Sequence, residues 1–133
     1  MTTTTTIRPP PHRIAAAALA ALFAATLPAC ATGREAIQTG KASYYARSFA
    51  GRRTASGERY DPRGFTAAHA DLPLGTWVRV SRTSGASVDV RINDRCACNS
   101  HIIDLSEAAA RQLGMMRAGS VAVRLVVLRR PKH

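Results

Sequence analysis

The chain has 133 residues, with 19 Lys and Arg against eight Asp and Glu, a formal charge of +11. That length suits one small domain, and that charge favours an anionic partner. No apolar run is long enough for an ordinary transmembrane helix, and no internal repeat or second domain is evident.

Arg8, His12 and Arg13 form a basic leader ahead of an apolar run from Ile14 to Leu27, followed by small residues at Pro28, Ala29, Cys30 and Ala31. This is the pattern of a bacterial secretory signal, expected over residues 1–29. Leu27-Pro28-Ala29-Cys30 reads as a lipobox with Cys30 lipidated, because a cysteine directly after an apolar segment is uncommon by chance. Ordinary signal cleavage after Ala31 is the alternative, and would give a soluble periplasmic or secreted protein. A chain beginning at Cys30 has 104 residues, 17 of them basic and eight acidic, for a formal charge of +9. In an exported protein that charge points to anionic envelope polymers and lipid head groups rather than to nucleic acid.

Residues 30–39 read as a polar tether. Beyond it lie many short β signals punctuated by Gly, Pro, Ser and Asp: Ala42–Tyr45, Phe65–Ala68, Trp77–Ser81, Ser87–Ile92, His101–Leu105 and Ala122–Leu128. Ser84-Gly85 marks a hairpin, and Leu72-Pro73-Leu74-Gly75-Thr76 a turn into the strand of Trp77. One helix stands out, with Ser106 as N-cap, Glu107 at its positive end, Ala108–Ala110 within it and Gly114 ending it. Many short strands with one or two short helices predict a mainly β fold, a small closed barrel spanning residues 40–128. A basic tail, 129–133, follows.

Two cysteines remain after Cys30. Cys96 and Cys98 are so close that a bridge between them closes only a small ring. A strained disulfide or two free thiols ranks above a metal site, because two thiols lack the other ligands of a closed zinc site, although His101 lies close by. No metal and no cofactor is therefore expected.

The densest chemistry lies in four segments. Val88, Val90 and Ile92 alternate with Asp89 and Arg91, a strand with one buried face that runs into the turn-forming pair Asn93-Asp94. A carboxylate where a buried strand meets a loop is rigidly held yet reachable, so Asp94 is the first candidate for acid–base work. The alternative is a residue that only closes the strand. Glu58, Asp61, His69 and Asp104 are further candidates, each with a plainer role: solvated loop acids paired with Arg59 or Arg63, a hydrogen-bonded structural histidine, and a helix-end carboxylate.

In order, Thr54–Asp61 (TASGERYD), Thr66–Val80 (TAAHADLPLGTWVRV), Val90–Arg95 (VRINDR) and Ile102–Gly114 (IIDLSEAAARQLG) resemble the rare lipoprotein A family of bacterial envelope proteins, from Gly40 to about Leu128. The resemblance implies a six-stranded double-psi β-barrel with an open glycan groove, and adds weight to lipidation at Cys30. It implies an endolytic lytic transglycosylase that cleaves the MurNAc–GlcNAc bonds of peptidoglycan strands stripped of stem peptides, leaving 1,6-anhydro ends. The positions it marks as functional are Glu58, Asp61, His69 and Asp94. Thr54, Tyr60, Arg95 and Asp104 fall to the substrate groove. In this reading Asp94 is the acid–base group, its carboxyl pKa raised by burial or a neighbouring carboxylate, while Glu58, Asp61 and His69 position the sugar or tune it. The implied protein is a monomer anchored through Cys30 to the outer membrane, facing the periplasm. A non-catalytic, expansin-like glycan-binding module is the alternative, and an envelope lipoprotein that docks another wall enzyme a third reading.

The chain departs from the family after Asp94. Cys96-Ala97-Cys98-Asn99-Ser100-His101 replaces the usual Gly-Pro-Phe and Gly-Arg, so this loop is expected to follow its own path. No counterpart of the peptidoglycan-binding domain of larger members is expected after Leu128.

Overall fold

A computed structural model describes residues 37–132. The signal segment 1–29, Cys30 and the first residues of the expected tether lie outside the described residues.

Six strands form a closed barrel: β1 (Ile37–Tyr44), β2 (Thr66–Ala68), β3 (Trp77–Ser81), β4 (Ser87–Asp94), β5 (Ile103–Leu105) and β6 (Val121–Arg129). Around the barrel the order is β1-β5-β2-β4-β3-β6. Two pairs are parallel, β1 with β5 and β2 with β4, and the other four contacts are antiparallel. This is the mainly β, six-stranded double-psi barrel that the motifs imply. A 3-10 turn at Arg47–Phe49 and one helix, α1 (Glu107–Gln112), complete the regular elements.

The period-2 pattern accounts for the interior. Val78 and Val80 of β3, Val88, Val90 and Ile92 of β4, and Leu125 of β6 all lose their contact with water. Burying each such side chain fully contributes about 1.5–3 kcal/mol before the entropy of ordering is charged against it. Helix α1 starts at the expected cap, where Ser106 Oγ accepts the Ala109 N–H at 3.3 Å. It stops just before Gly114, whose φ of 69° lies in the left-handed region that glycine enters without penalty.

Strand ends differ from the sequence pattern by one or two residues at β2, β5 and β6, and two differences bear on the site. β1 begins at Ile37, because residues 37–42 pair with β6 in continuous register from Ile37↔Val126 to Ala42↔Val121. Its outer residues are exposed and carry no alternation to read. β4 runs on through Asn93 and Asp94 instead of turning there. A register shift at Ala67/Ala68 leaves Asn93 as the extra residue on β4 and brings Ala68 opposite Asp94, and the His69 N–H bonds to the Asp94 carbonyl at 3.2 Å.

Candidate active site

Register places the acids. Ser43 of β1 pairs with Asp104 of β5, Asp104 with Ala68 of β2, and Ala68 with Asp94 of β4. Asp104 and Asp94 therefore stand in one row, two strands apart, about 10 Å between Cα atoms at the usual strand spacing. Only the small side chain of Ala68 lies between them. Both acids line one open cleft of about 320 Å³, together with Tyr45, Phe49, Thr54 and Tyr60.

Three donors converge on Asp94. The Tyr45 hydroxyl donates to Oδ2 at 2.7 Å, and the backbone N–H groups of Ala55 and Arg95 donate to Oδ1 at 2.8 and 2.9 Å. Burial, then the bond to Asp94, pushes the Tyr45 phenol above its ordinary value, so it stays a protonated donor at any physiological pH. Ala55 reaches the site because the 54–58 segment folds into a tight turn over the end of β4. Both the N–H and the hydroxyl of Thr54 donate to the Glu58 carbonyl, at 2.7 and 2.8 Å, and the Ser56 N–H bonds to the Asn93 carbonyl at 3.0 Å. Thr54 is thus buried in the frame of the turn as well as bordering the cleft.

Aromatic rings form one wall. Tyr45 packs against Tyr60 with centroids 4.9 Å apart and against Phe49 at 6.0 Å, both tilted by 50°. Tyr60 is itself fixed by accepting the Glu107 N–H on its hydroxyl at 3.1 Å. Phe49 remains 38 % exposed, with the Arg52 guanidinium 4.8 Å from its ring centre. Arg52 and Arg53 also border the cleft, which brings positive charge to its rim. Arg95 turns its guanidinium to the carbonyls of His69 and Leu72, at 3.2 and 2.7 Å, and so braces the 69–72 turn against the end of β4.

The other sequence candidates lie outside this cleft. Glu58 forms a two-pronged ion pair with Arg91 of β4, at 2.6 and 2.7 Å, which holds its carboxyl below the usual range. Asp61 is an exposed loop acid that accepts the Arg63 N–H at 3.0 Å and lies 3.5 Å from its guanidinium. His69 is almost fully buried. Its Nδ1 accepts the N–H groups of Asp71 and Leu72 at 3.0 and 3.1 Å, and its Nε2 lies 2.8 Å from Gln38 Oε1. Burial pushes its pKa down, so the ring is neutral with its proton on Nε2. The structure therefore gathers Asp94, Thr54, Tyr60, Arg95 and Asp104, and leaves Glu58, Asp61 and His69 to its flanks.

Sequence reasoning passed over Tyr45, Phe49 and Arg52. Tyr45 sits at the end of a recognised strand, and the adjacent aromatic pair Tyr44-Tyr45 is the only signal that marks it. Phe49 and Arg52 belong to no motif; the chain path alone puts them beside Asp94.

The loop after β4 is closed by a Cys96–Cys98 disulfide. Cys98 has φ of 43°, the only positive φ at a non-glycine residue among the described residues. That value is uncommon outside glycine, asparagine and aspartate. His101 Nε2 stands 2.7 Å from Asp104 Oδ1, yet no N–H of the ring is aligned for a hydrogen bond there.

The protein family described as lytic transglycolase matches residues 37–125, two thirds of the chain. Over 93 residues the chain is 50 % identical to the endolytic peptidoglycan transglycosylase RlpA of Neisseria meningitidis serogroup A, covering 68 % of this chain and 39 % of that protein. The chain thus spans about two fifths of the length of that relative. The barrel also superposes on a Streptomyces papain inhibitor (TM-score 0.58, 28 % identity, 70 % of this chain and 94 % of the other). A similar match is made to an expansin of Clavibacter michiganensis (TM-score 0.57, 27 % identity, 73 % and 52 %).

Proposed function

The chain belongs to the lytic transglycolase family of double-psi β-barrels, and from that premise we propose that it cleaves the MurNAc–GlcNAc bonds of denuded peptidoglycan strands, with Asp94 as the acid–base residue. One observation carries the assignment. Asp94 ends a rigid barrel strand at an open cleft with an aromatic wall, and three protein donors fix its orientation.

Protonated Asp94 gives its proton to the glycosidic oxygen as the bond to the anomeric carbon breaks, leaving an oxocarbenium-like centre. The 6-hydroxyl of the same MurNAc then attacks that carbon. Its proton returns to the Asp94 carboxylate, the 1,6-anhydro ring closes and the acid is regenerated. One acid suffices, because the sugar supplies its own nucleophile in place of water. Phe49 offers an exposed apolar face for a pyranose ring, and Asp104 accepts hydroxyls from the next unit along the row. Glu58 and His69 hold the flanking turns, and Asp61 remains a sugar contact from the loop.

Cys30 is lipidated in this proposal and anchors a monomer to the outer membrane, facing the periplasm. The excess of basic residues favours the anionic wall and lipid surface on either side.

Amidase-treated sacculi provide the test. Wild type is expected to release soluble fragments with 1,6-anhydro ends by mass spectrometry, and Asp94→Asn to bind sacculi without releasing them. Asparagine keeps the Oδ1 acceptor for both N–H groups, and the Tyr45 hydroxyl can turn to accept, so the fold survives the change. The second reading, an expansin-like binding module, is favoured by the expansin likeness of the barrel. Wild-type binding with no product would establish it and sink the first.

A further inference from the structure

The Sγ atoms of Cys96 and Cys98, a ring nitrogen of His101 and a carboxylate oxygen of Asp104 lie within 4.8 Å of one another, and the geometry points to a metal site that opens when the Cys96–Cys98 disulfide is reduced. The spacing Cys-x-Cys-x2-His-x2-Asp supplies two thiolates, one imidazole and one carboxylate, a tetrahedral donor set of the kind that holds Zn2+. In a tetrahedral zinc centre neighbouring donors stand about 3.3–3.8 Å apart, so ligation needs the more distant groups to close by roughly 1 Å and the two sulfurs, once freed by reduction, to separate by roughly 1.5–2 Å.

Three features of the loop suit it to this role. First, His101 Nε2 is buried, makes no hydrogen bond, and stands 2.7 Å from a carboxylate oxygen. Two such donors drawn together without an aligned N–H are satisfied by a cation shared between them. Second, Cys98 holds its positive φ within the ring closed by the bridge, and reduction lets the loop relax around a shared cation. Third, a loaded site of two thiolates, one carboxylate and a divalent ion carries a net charge of −1, and Arg52, Arg53 and Arg95 border the same cleft. The site does not depend on the glycan reading, because it rests on the mutual placement of its four donors, although Asp104 also lines the cleft.

The chemistry balances with a dithiol reductant. Two electrons and two protons pass from the dithiol to the bridge, giving Cys96 and Cys98 thiols and one disulfide in the reductant. Zn2+ then binds both sulfurs and displaces the two thiol protons to solvent. Loading engages Asp104 and places a cation on the cleft floor, so the redox state of the loop sets which ligands the cleft presents.

Cobalt(II) added to the phosphine-reduced full chain under argon reads the site directly. The expected result is a thiolate-to-cobalt charge-transfer band with tetrahedral d–d bands, saturating at one cobalt per chain and erased by Zn2+. Protein with its disulfide intact shows neither band. His101→Gln and Asp104→Asn each weaken binding by about tenfold or more, given that even outer-shell partners of a metal are worth that much. Circular dichroism establishes that each variant is folded. Proton release on zinc loading, about two per ion near pH 7, needs no variant at all. A reduced wild type without the charge-transfer band, affinity unchanged in both folded variants, or release of less than one proton would each overturn the site.

Discussion

The Tyr45 hydroxyl donates to Oδ2 of Asp94 at 2.7 Å, joining the residue just past β1 to the last residue of β4. The two strands are not neighbours in the barrel, since β5 and β2 stand between them. Tyr45 leans across that gap at the mouth of the cleft, and its own N–H is tied to the Leu105 carbonyl at 2.9 Å. Asp94 therefore has one oxygen fixed by backbone and the other by a single side chain.

Tyr45→Phe removes only that second restraint. A hydrogen bond to a charged group contributes about 1.5–3 kcal/mol. Turnover is therefore expected to fall about ten- to a hundredfold, with kcat affected more than KM. The ring contacts with Phe49 and Tyr60 survive the change, so the melting temperature shifts little. Release of anhydro fragments, measured beside thermal denaturation, checks both halves; an unchanged kcat would show that Tyr45 does not position the acid.

Glu58 offers a sharp contrast with Asp94. Its ion pair with Arg91 is largely exposed, so Glu58→Gln is expected to cost less than about 1 kcal/mol of stability. Because Glu58 lies outside the cleft and is held ionised by Arg91, activity is expected to drop by no more than about tenfold. Assaying both variants on the same glycan decides between the acids. A folded Glu58→Gln as inactive as Asp94→Asn would move the proton donor to Glu58.

Local patterns were enough to read the barrel's six strands and to mark several residues that line the candidate cleft. Trp77–Ser81 is a strand with the bounds its alternation predicts, the cap at Ser106 is where the helix begins, and Asp94 ends a buried strand. What local patterns do not carry is pairing at long range. Glu58 meets Arg91 across 33 positions and Tyr45 meets Asp94 across 49, and neither partner is marked by spacing. The outer half of β1 escaped for a related reason: Gln38, Thr39, Gly40 and Lys41 show no alternation, and β6 supplies the hydrogen bonds that make them a strand. Asp94 stood out in sequence as the acid that ends a buried strand, but no local pattern ranked Glu58, Asp61 and Asp104 against one another. Only the folded chain separates those in the cleft from those in its supporting turns.

Glu107 reports on acid stability. The Arg47 guanidinium bonds both its oxygens, at 2.6 and 3.0 Å, and Arg111 adds two contacts to Oε1 at 2.8 and 3.2 Å. Together they hold its carboxyl down to about 2 from an ordinary 4.5. A depressed folded pKa means that this pairing stabilises the fold fully above about 4.5, and that the contribution is lost as pH falls towards 2. Arg47→Ala moves the folded value back towards the ordinary one. Its acid unfolding, followed by circular dichroism, is expected to begin at higher pH than that of wild type, and superimposable curves would refute the linkage.

His69 sets a second pH dependence nearer neutrality. Its neutral ring satisfies three partners at once: Nδ1 accepts from Asp71 and Leu72, and Nε2–H faces Gln38 Oε1. A second proton has to go to Nδ1, where it would face two N–H donors and break the 69–72 turn that Arg95 braces. Burial lowers the folded pKa first, the Arg95 charge lowers it further, and Asp71 opposes them. The unfolded chain thus binds the proton more readily, so stability is full above the ordinary value of 6.5 and declines as pH falls through the lower folded value. His69→Asn keeps an acceptor for the turn but cannot take up the proton. It is expected to be less stable than wild type at pH 8, by about 1–3 kcal/mol for the lost Gln38 contact and packing, and to show a flatter dependence between pH 7 and pH 5. Urea melts of both proteins across that range measure the slope directly. Parallel curves would mean that His69 is not the titrating group, and that the turn tolerates a charged ring.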